Sequence, residues 1–163
     1  MEVARIQGTE YHISSVRFAQ PQTKEDSKEL VKYLKDYNID TIINVSDYKT
    51  PSNIISLYKK NGVKNLLTYT FPDKFLDWDE FRPLVNTFQE IYQNVKKMNA
   101  QNILVHCTAG VNRSATVIAY LLKKTTRRDM NDIITQIRKS NRDVRGIVAI
   151  ANPTFEALLI SYV

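Results

Sequence analysis

The sequence predicts an α/β fold, with a central and mostly parallel sheet flanked by helices on both faces. Short β-branched runs alternate with segments of helical periodicity along the whole chain. Residues 41–45 (TIINV) are rich in β-branched side chains and residues 103–105 are a short apolar run, as expected for strands that are buried on both faces. The helix predicted at residues 115–122 is apolar nearly all round, so it belongs in the centre of a domain. Together these patterns predict a buried sheet between two helical layers.

The predicted elements follow one another without a repeat or a flexible linker. Thr23 is a candidate cap for the first helix, and Pro83 must lie in the first turn of the longest one. Asn152 followed by Pro153 is typical of an N-cap and a first helical residue. We predict strands at residues 11–19, 41–45, 63–71 and 103–105. We predict helices at residues 23–38, 52–60, about 77–98, 115–122 and 129–140, and a last one from 152.

Length and composition indicate one globular domain. The chain has 163 residues, of which 43% are hydrophobic and 25% are charged, and a chain of this size buries about 70% of its unfolded surface. We expect one domain over residues 1–163, with residues 1–10 as a short N-terminal arm. No apolar run approaches the roughly 20 residues of a membrane span, and no signal-peptide stretch begins the chain. We therefore expect a cytoplasmic protein that is not secreted and does not bind membranes.

The chain is basic and contains a single cysteine. Lys and Arg number 23 against 17 Asp and Glu, a net charge of +6, which favours phosphorylated or polyanionic ligands. A lysine-rich solvated surface explains the same surplus. Cys107 has no cysteine partner for an intramolecular disulfide or a multi-cysteine zinc site. His12 and His106 are far apart in sequence and make a weak case for a metal, so we predict neither metal nor cofactor.

One segment, VHCTAGVNRS at residues 105–114, is expected to carry the chemistry. A strand ends here and an apolar helix begins, and the N-terminus of a helix offers unpaired N–H groups to an anion. Gly110 permits the positive φ that directs successive N–H groups into one concavity. Asn112 tolerates a positive φ better than most residues. We predict a phosphate-binding loop formed by Thr108, Ala109, Gly110, Val111, Asn112 and Arg113.

Cys107 begins this loop and is the candidate nucleophile. N–H donors, a helix N-terminus and a guanidinium favour its thiolate, and such surroundings lower a cysteine pKa from about 8.5 to roughly 3.5–7.5. Arg113, after five intervening residues, can grip two oxygens of a phosphoryl group. Ser114 can donate a hydrogen bond to the thiolate when it leaves. The alternative is a buried structural cysteine, which the neighbouring His106, Gly110 and Arg113 argue against.

These residues resemble the signature of the cysteine-dependent phosphatases of the protein tyrosine phosphatase superfamily. The motif is Cys-x5-Arg, preceded by histidine and followed by serine, and the form HCTAGVNRS is similar to the dual-specificity branch. The segments GVNRS, RDVRG and NPTF resemble the poxvirus (vaccinia) type. The resemblance extends over about residues 11–162 and implies the dual-specificity phosphatase fold. A viral relationship would place the protein in the host cytoplasm or the virion.

The resemblance also implies a general acid and a two-step mechanism. In this superfamily an aspartate lies on the loop after the preceding strand, and Asp73 lies 107 − 73 = 34 residues before Cys107. Asp77 and Asp79 compete for this role, but we expect them to cap the long helix. Cys107 would form a cysteinyl-phosphate that water then hydrolyses. His106 is expected to organise the loop through hydrogen bonds.

The loop residues favour phosphoprotein substrates, with phosphate on tyrosine and on serine or threonine. Ala109 and Val111 are uncharged, whereas phosphoinositide phosphatases of the superfamily tend to carry lysines there. RNA triphosphatases typically have a histidine at the position of Ala109. Arg142 and Arg145 are candidates to line the cleft, although a solvated loop explains them equally well. Asn152 is a third candidate, because some relatives bring this residue to the loop.

Two other functions remain open. One is an RNA 5′-phosphatase of the same superfamily, which the basic charge supports, and the other is a non-catalytic phosphate-binding module. We expect a phosphorylated protein or peptide as partner and phosphate, sulfate or vanadate as active-site occupants, and we do not favour nucleic acid. Poxvirus-type relatives dimerise through N-terminal segments, so a homodimer also remains open, although residues 1–10 are short for this purpose.

Overall fold

The computed structural model describes residues 2–163, and its centre is a five-stranded sheet. The strands are β1 (Val3–Arg5), β2 (Tyr11–Ser14), β3 (Thr41–Asn44), β4 (Asn65–Thr68) and β5 (Ile103–His106). Their order in the sheet is β1-β2-β5-β3-β4. The pairs β2/β5, β5/β3 and β3/β4 are parallel, and only β1 runs antiparallel to its neighbour. The prediction of a mostly parallel α/β sheet is therefore confirmed.

The helices are α1 (Val16–Ala19), α2 (Lys24–Asp36), α3 (Ser52–Lys60), α4 (Phe81–Lys97), α5 (Arg113–Thr125), α6 (Met130–Arg145) and α7 (Pro153–Tyr162). A short 3₁₀ helix (Trp78–Glu80) precedes α4. As predicted, Pro83 lies in the first turn of α4, and Thr23 caps α2 by accepting the Asp26 N–H. No helix in residues 2–163 combines the length and the apolar character that crossing a bilayer requires.

Two hydrophobic clusters cover the two faces of the sheet. The residues of β3 and β5 alternate between them: Ile43 and Val105 belong to the larger cluster, whereas Ile42 and Leu104 belong to the smaller one. This alternation follows from the twofold repeat of a strand. Residues of α4, α5, α6 and α7 contribute to the larger cluster, and residues of α2 and α3 to the smaller. The sheet is thus buried between two helical layers.

Several predicted boundaries were wrong, among them the strand predicted at residues 63–71, which spans only Asn65–Thr68. Three of the differences have a local reason. The strand predicted at residues 11–19 stops at Ser14, because the Ser15 hydroxyl accepts the Phe18 N–H and starts α1. Helix α6 continues past residue 140 until Gly146, whose φ of 68° ends it in the left-handed conformation. The predicted N-terminal arm contains β1, whose residues Val3 and Ala4 are buried and pair with β2. Residue 1 lies outside the described residues.

The sheet topology gathers several loops at one edge. Strands β3, β4 and β5 are parallel, so the loops that follow them lie at the same carboxyl edge of the sheet. These loops carry Asp47, Asp73 and Cys107 respectively. Ligand sites of open parallel sheets form at this edge, and the fold therefore brings sequence-distant polar residues together there.

Candidate active site

The loop between β5 and α5 surrounds the sulfur of Cys107, which is 3% exposed. The sulfur accepts the Gly110 N–H at 3.2 Å and lies 3.2 Å from the Ser114 hydroxyl oxygen. Gly110 has a φ of 71°, and a Cβ there would approach the Ser14 carbonyl oxygen to 2.5 Å, so only glycine fits. Asn112, by contrast, is right-handed with a φ of −108°, and glycine alone supplies the loop's left-handed residue.

Every carbonyl oxygen of loop residues 108–112 accepts a hydrogen bond from a group outside the loop. The C=O and N–H of a trans peptide point in opposite directions, so the loop amides point away from these donors. The Gly110 amide donates to the Cys107 sulfur, and the other amides of the loop remain available to an anion. In chain order, the donors are the Val16 N–H (3.0 Å), Arg145 Nη2 (2.9 Å), Arg145 Nη1 (2.6 Å), the Ile150 N–H (2.8 Å) and the Thr116 N–H (2.9 Å).

Arg113 lies at the base of the same pocket and is 5% exposed. Its Nη1 donates to Asp47 Oδ1 at 3.0 Å and to the Phe71 carbonyl at 3.2 Å, and its Nη2 donates to the Thr108 hydroxyl at 3.0 Å. Its Nε is buried without a partner among the described residues. A buried guanidinium N–H without an acceptor is costly, so this atom is a natural donor to a bound oxyanion.

Asp73 reaches the pocket from the loop after β4. Asn112 Nδ2 donates to Asp73 Oδ2 at 2.9 Å, and Asn152 Nδ2 donates to Asp73 Oδ1 at 3.2 Å. Asp77, its predicted competitor, forms a capping box with Glu80 at the start of the 3₁₀ helix. The structure therefore brings Asp73, and not Asp77, to the loop that surrounds Cys107.

The pocket has a volume of about 430 Å³. Its described lining contains carboxylates and loop residues but no aromatic side chain: Asp47, Pro72, Asp73, Cys107, Thr108, Ala109, Val111, Asn112 and Arg113. Asp47 is the lining residue that the sequence reasoning missed. Asp47 lies shortly after β3, and an acidic residue that follows a buried parallel strand is a candidate for the site at the carboxyl edge of the sheet. Its place in the pocket could have been predicted on that ground.

His106 does not organise the loop through hydrogen bonds as predicted. Its side chain is fully buried on β5, and neither ring nitrogen has a hydrogen-bond partner within residues 2–163. Burial lowers the pKa of His106 to about 4, so the ring is neutral at pH 7. The nearby backbone of Cys107 acts in the opposite direction on the pKa of His106, but it does not form a hydrogen bond with the ring. His106 therefore acts as packing beneath the loop.

The three candidate cleft residues have different positions. Arg145 binds loop carbonyls from outside the pocket, because the extended α6 carries it behind the loop. The side chain of Arg142 is 68% exposed and lies 3.8 Å from Asp143, and neither arginine lines the pocket. Asn152 caps α7 by accepting the Thr154 N–H at 2.9 Å, and it contacts the loop residue Asn112 and Asp73. Like the two arginines, however, Asn152 does not line the pocket.

The chain is similar to known phosphatases. The model of the family "Dual specificity phosphatase, catalytic domain" matches residues 22–162. The chain is 36% identical over 76 residues to the dual specificity protein phosphatase H1 of variola virus, an alignment that covers 45% of this chain and 44% of that protein. It is 30% identical over 113 residues to the dual specificity protein phosphatase Mpk3 of Drosophila melanogaster, covering 68% of this chain and 25% of that one. The chain thus spans less than half the length of these curated relatives.

Solved structures share the fold at low sequence identity. Human DUSP28 superposes with a TM-score of 0.65 at 18% identity, covering 98% of this chain and 90% of that one. The active form of Tk-PTP gives a TM-score of 0.66 at 17% identity, covering 99% and 98%. These likenesses support the fold, and the family model covers most of the sequence. The chain therefore belongs to the dual specificity phosphatase catalytic-domain family of the protein tyrosine phosphatase superfamily.

Proposed function

We propose that this protein is a dual-specificity protein phosphatase that hydrolyses phosphotyrosine and phosphoserine or phosphothreonine esters. The observation that carries the proposal is the presence of a nucleophile, an anion clamp and a proton donor in one pocket. Cys107, Arg113 and Asp73 all line it, although they come from different loops and a helix. A non-catalytic phosphate-binding module would need the clamp alone, so the complete set supports catalysis over binding.

In the first step, the Cys107 thiolate attacks phosphorus, and the bond from phosphorus to the ester oxygen breaks. Arg113 and the free loop amides stabilise the negative charge on the three remaining phosphoryl oxygens. Asp73, protonated at the start, gives its proton to the departing oxygen. The products of this step are the dephosphorylated alcohol or phenol and a cysteinyl-phosphate.

In the second step, water attacks the cysteinyl-phosphate, and the bond between sulfur and phosphorus breaks. Asp73, now a carboxylate, takes a proton from the attacking water. The electron pair returns to sulfur, and Ser114, whose oxygen lies 3.2 Å away, donates a hydrogen bond to the new thiolate. Inorganic phosphate leaves, and the residues return to their starting protonation states.

The pocket lining supports phosphoprotein substrates. Without an aromatic wall in its described lining, the pocket does not select for the flat phenyl ring of phosphotyrosine over the shorter serine and threonine esters. Ala109 and Val111 add no charge that would recognise a phosphoinositide headgroup. Among the alternatives, an RNA 5′-phosphatase is supported only by the net charge of +6. A homodimer and a cytoplasmic location stay predictions.

The test is to assay the wild-type protein and Cys107→Ser in parallel on a phosphotyrosine peptide, a phosphothreonine peptide and triphosphorylated RNA. We expect the wild type to release phosphate from both peptides and not from the RNA. Cys107→Ser should lose turnover by about 10⁴-fold or more, because it lacks the nucleophile. It should still bind inorganic tungstate, since the loop amides and Arg113 remain. Substantial residual turnover in Cys107→Ser, or activity on RNA alone, would contradict the proposal.

A further inference from the structure

We propose that Arg145 is a positioning residue that holds the phosphate-binding loop in the conformation that binds an anion. The inference rests on the proposed function, because it concerns the same loop. It also replaces the expectation that Arg145 contacts substrate, since Arg145 does not line the pocket. The role follows from three features of the structure: the atoms that Arg145 binds, the peptides that those atoms belong to, and the glycine between them.

The guanidinium of Arg145 is anchored on one side and binds the loop on the other. Its Nη1 donates to Asn141 Oδ1 at 2.9 Å, and Asn141 is fully buried and donates in turn to the Ile137 carbonyl. Its Nη2 donates to the Ala109 carbonyl at 2.9 Å, and Nη1 also donates to the Gly110 carbonyl at 2.6 Å. Arg145 thus connects the packed end of α6 with two consecutive loop peptides.

The first of these peptides joins Ala109 to Gly110, and both of its ends are bonded. Its carbonyl accepts from Arg145, and its N–H donates to the Cys107 sulfur at 3.2 Å. A peptide flip would exchange these directions and turn a carbonyl oxygen towards the sulfur. An oxygen there would repel both the thiolate and an incoming phosphate. By holding the carbonyl, Arg145 keeps the N–H on the side of the sulfur.

The second peptide joins Gly110 to Val111, and its carbonyl also accepts from Arg145. Its N–H therefore points away from Arg145, and Val111 is a lining residue of the pocket. These two peptides flank the loop's glycine, the residue type with the least steric resistance to a change of φ and ψ. The other loop carbonyls all have a backbone N–H donor, whereas these two depend on Arg145 alone within the described residues.

The chemistry of arginine suits this task. Burial lowers the pKa of Arg145, while the charges of Glu2 and Cys107 act in the opposite direction, and a guanidinium remains charged at neutral pH. Its planar fork presents two nitrogen atoms to neighbouring acceptors at once. The Arg145 Nε is itself buried without a partner among residues 2–163, so the side chain gives up one hydrogen bond to hold this position.

The experiment compares Arg145→Met and Arg145→Lys with the wild type and with a control, Lys139→Met. Lys139 carries the same charge on α6, but its ammonium forms an ion pair with the exposed Asp143. The readouts are the dissociation constant for inorganic tungstate by calorimetry and kcat and KM on a phosphotyrosine peptide. All are measured well below the melting temperature of each variant, so that a loss of stability does not enter.

We expect Arg145→Met to weaken tungstate binding about tenfold or more, to raise KM and to lower kcat. Without Arg145 the peptides beside Gly110 can flip, and a flipped peptide removes amide donors from the bound substrate and from the transition state. Arg145→Lys keeps the charge and the stem but not the fork, so its loss should be intermediate. Lys139→Met should stay within about twofold of the wild type.

The proposal is overturned if Arg145→Met melts at a lower temperature but binds tungstate as tightly as the wild type, since Arg145 would then serve stability alone. If Arg145→Met does not fold, Arg145→Lys decides: affinity equal to the wild type would overturn the proposal. Failure of the proposed function looks different. In that case the wild type binds tungstate but hydrolyses no phosphopeptide, and the tungstate series still tests the role of Arg145.

Discussion

Asp73 is held in the pocket by amide groups and not by a cation. Asn112 and Asn152 each donate to one of its oxygens, and no ammonium or guanidinium within residues 2–163 forms an ion pair with it. The two amides donate to different oxygens of Asp73, so they fix the carboxyl group beside the loop that surrounds Cys107. This position, in the same pocket as the nucleophile, supports the role that we propose for Asp73.

At the residue scale, we predict that Asp73→Asn slows alkyl phosphates about 10²-fold or more and aryl phosphates much less, because an alkoxide is the poorer leaving group. Steady-state kinetics on phosphothreonine peptide and on an activated aryl phosphate would measure this. The matched control is Asp77→Asn, which should keep both its activity and its stability, since Asp77 belongs to a capping box and asparagine caps a helix as well as aspartate does. If Asp73→Asn lost the same activity on both substrates, or if Asp77→Asn lost more activity than Asp73→Asn, Asp73 would not be the general acid.

At the element scale, the start of α7 and the loop that carries Asp73 are joined through Asn152 and Thr154. Asn152 Oδ1 caps α7, while its Nδ2 donates to the Lys74 carbonyl at 2.7 Å and to Asp73. The Thr154 hydroxyl accepts the Leu76 N–H at 3.0 Å. One end of the helix therefore fixes the acid loop at several points, and the helix cap and the acid position depend on the same side chain.

We predict that substitutions of Asn152 separate these two tasks. Asn152→Ala should lower the free energy of unfolding by about 1 kcal/mol through loss of the cap, and it should also slow turnover. Asn152→Ser keeps a capping oxygen but has no amide that reaches Asp73. It should therefore recover most of the stability and little of the activity. Urea denaturation and peptide turnover of both variants test this, and recovery of both properties by Asn152→Ser would show that the cap alone matters.

At the scale of the whole molecule, the sheet buries both histidines as neutral rings. His106 lies on β5 and His12 on the neighbouring β2. Burial lowers the pKa of each to about 4, and for His12 the charge of Arg5 adds to the effect. In the unfolded chain the ordinary value is about 6.5. Between these values the unfolded chain binds more protons than the folded one, so the free energy of unfolding rises with pH.

We predict that the protein is fully stable above about pH 6.5 and loses stability as the pH falls towards 4. The expected loss between pH 7 and pH 5 is on the order of 2 kcal/mol for each histidine, in a range where few carboxylates titrate. Urea midpoints at the two pH values measure it. His12→Gln, which cannot titrate but still offers Tyr33 a hydrogen-bond partner, should remove about half of the dependence. Equal midpoints for the wild type at pH 7 and pH 5 would refute the prediction.

The α/β class and the position of the phosphate-binding loop follow from the amino-acid sequence alone. Both depend on contiguous patterns: β-branched runs such as residues 41–45, and a Cys-x5-Arg segment between a strand and a helix. The roles of Gly110 in that loop and of Asn152 as a helix cap could also be predicted, because each depends on residues that are neighbours in the sequence. A left-handed turn needs glycine, and the first amides of a helix need a nearby acceptor.

Which distant side chains meet the loop depends on the packing of the whole fold. Asp47 reaches Arg113 from another strand, and Arg145 binds the loop from behind because α6 continues past its predicted end. The complete burial of His106 without a hydrogen-bond partner within residues 2–163 could not be predicted either, since burial on both faces of a sheet depends on how the helices pack. Spacing along the chain carries information about neighbours in sequence. Contacts between elements depend on the packing of all of them together.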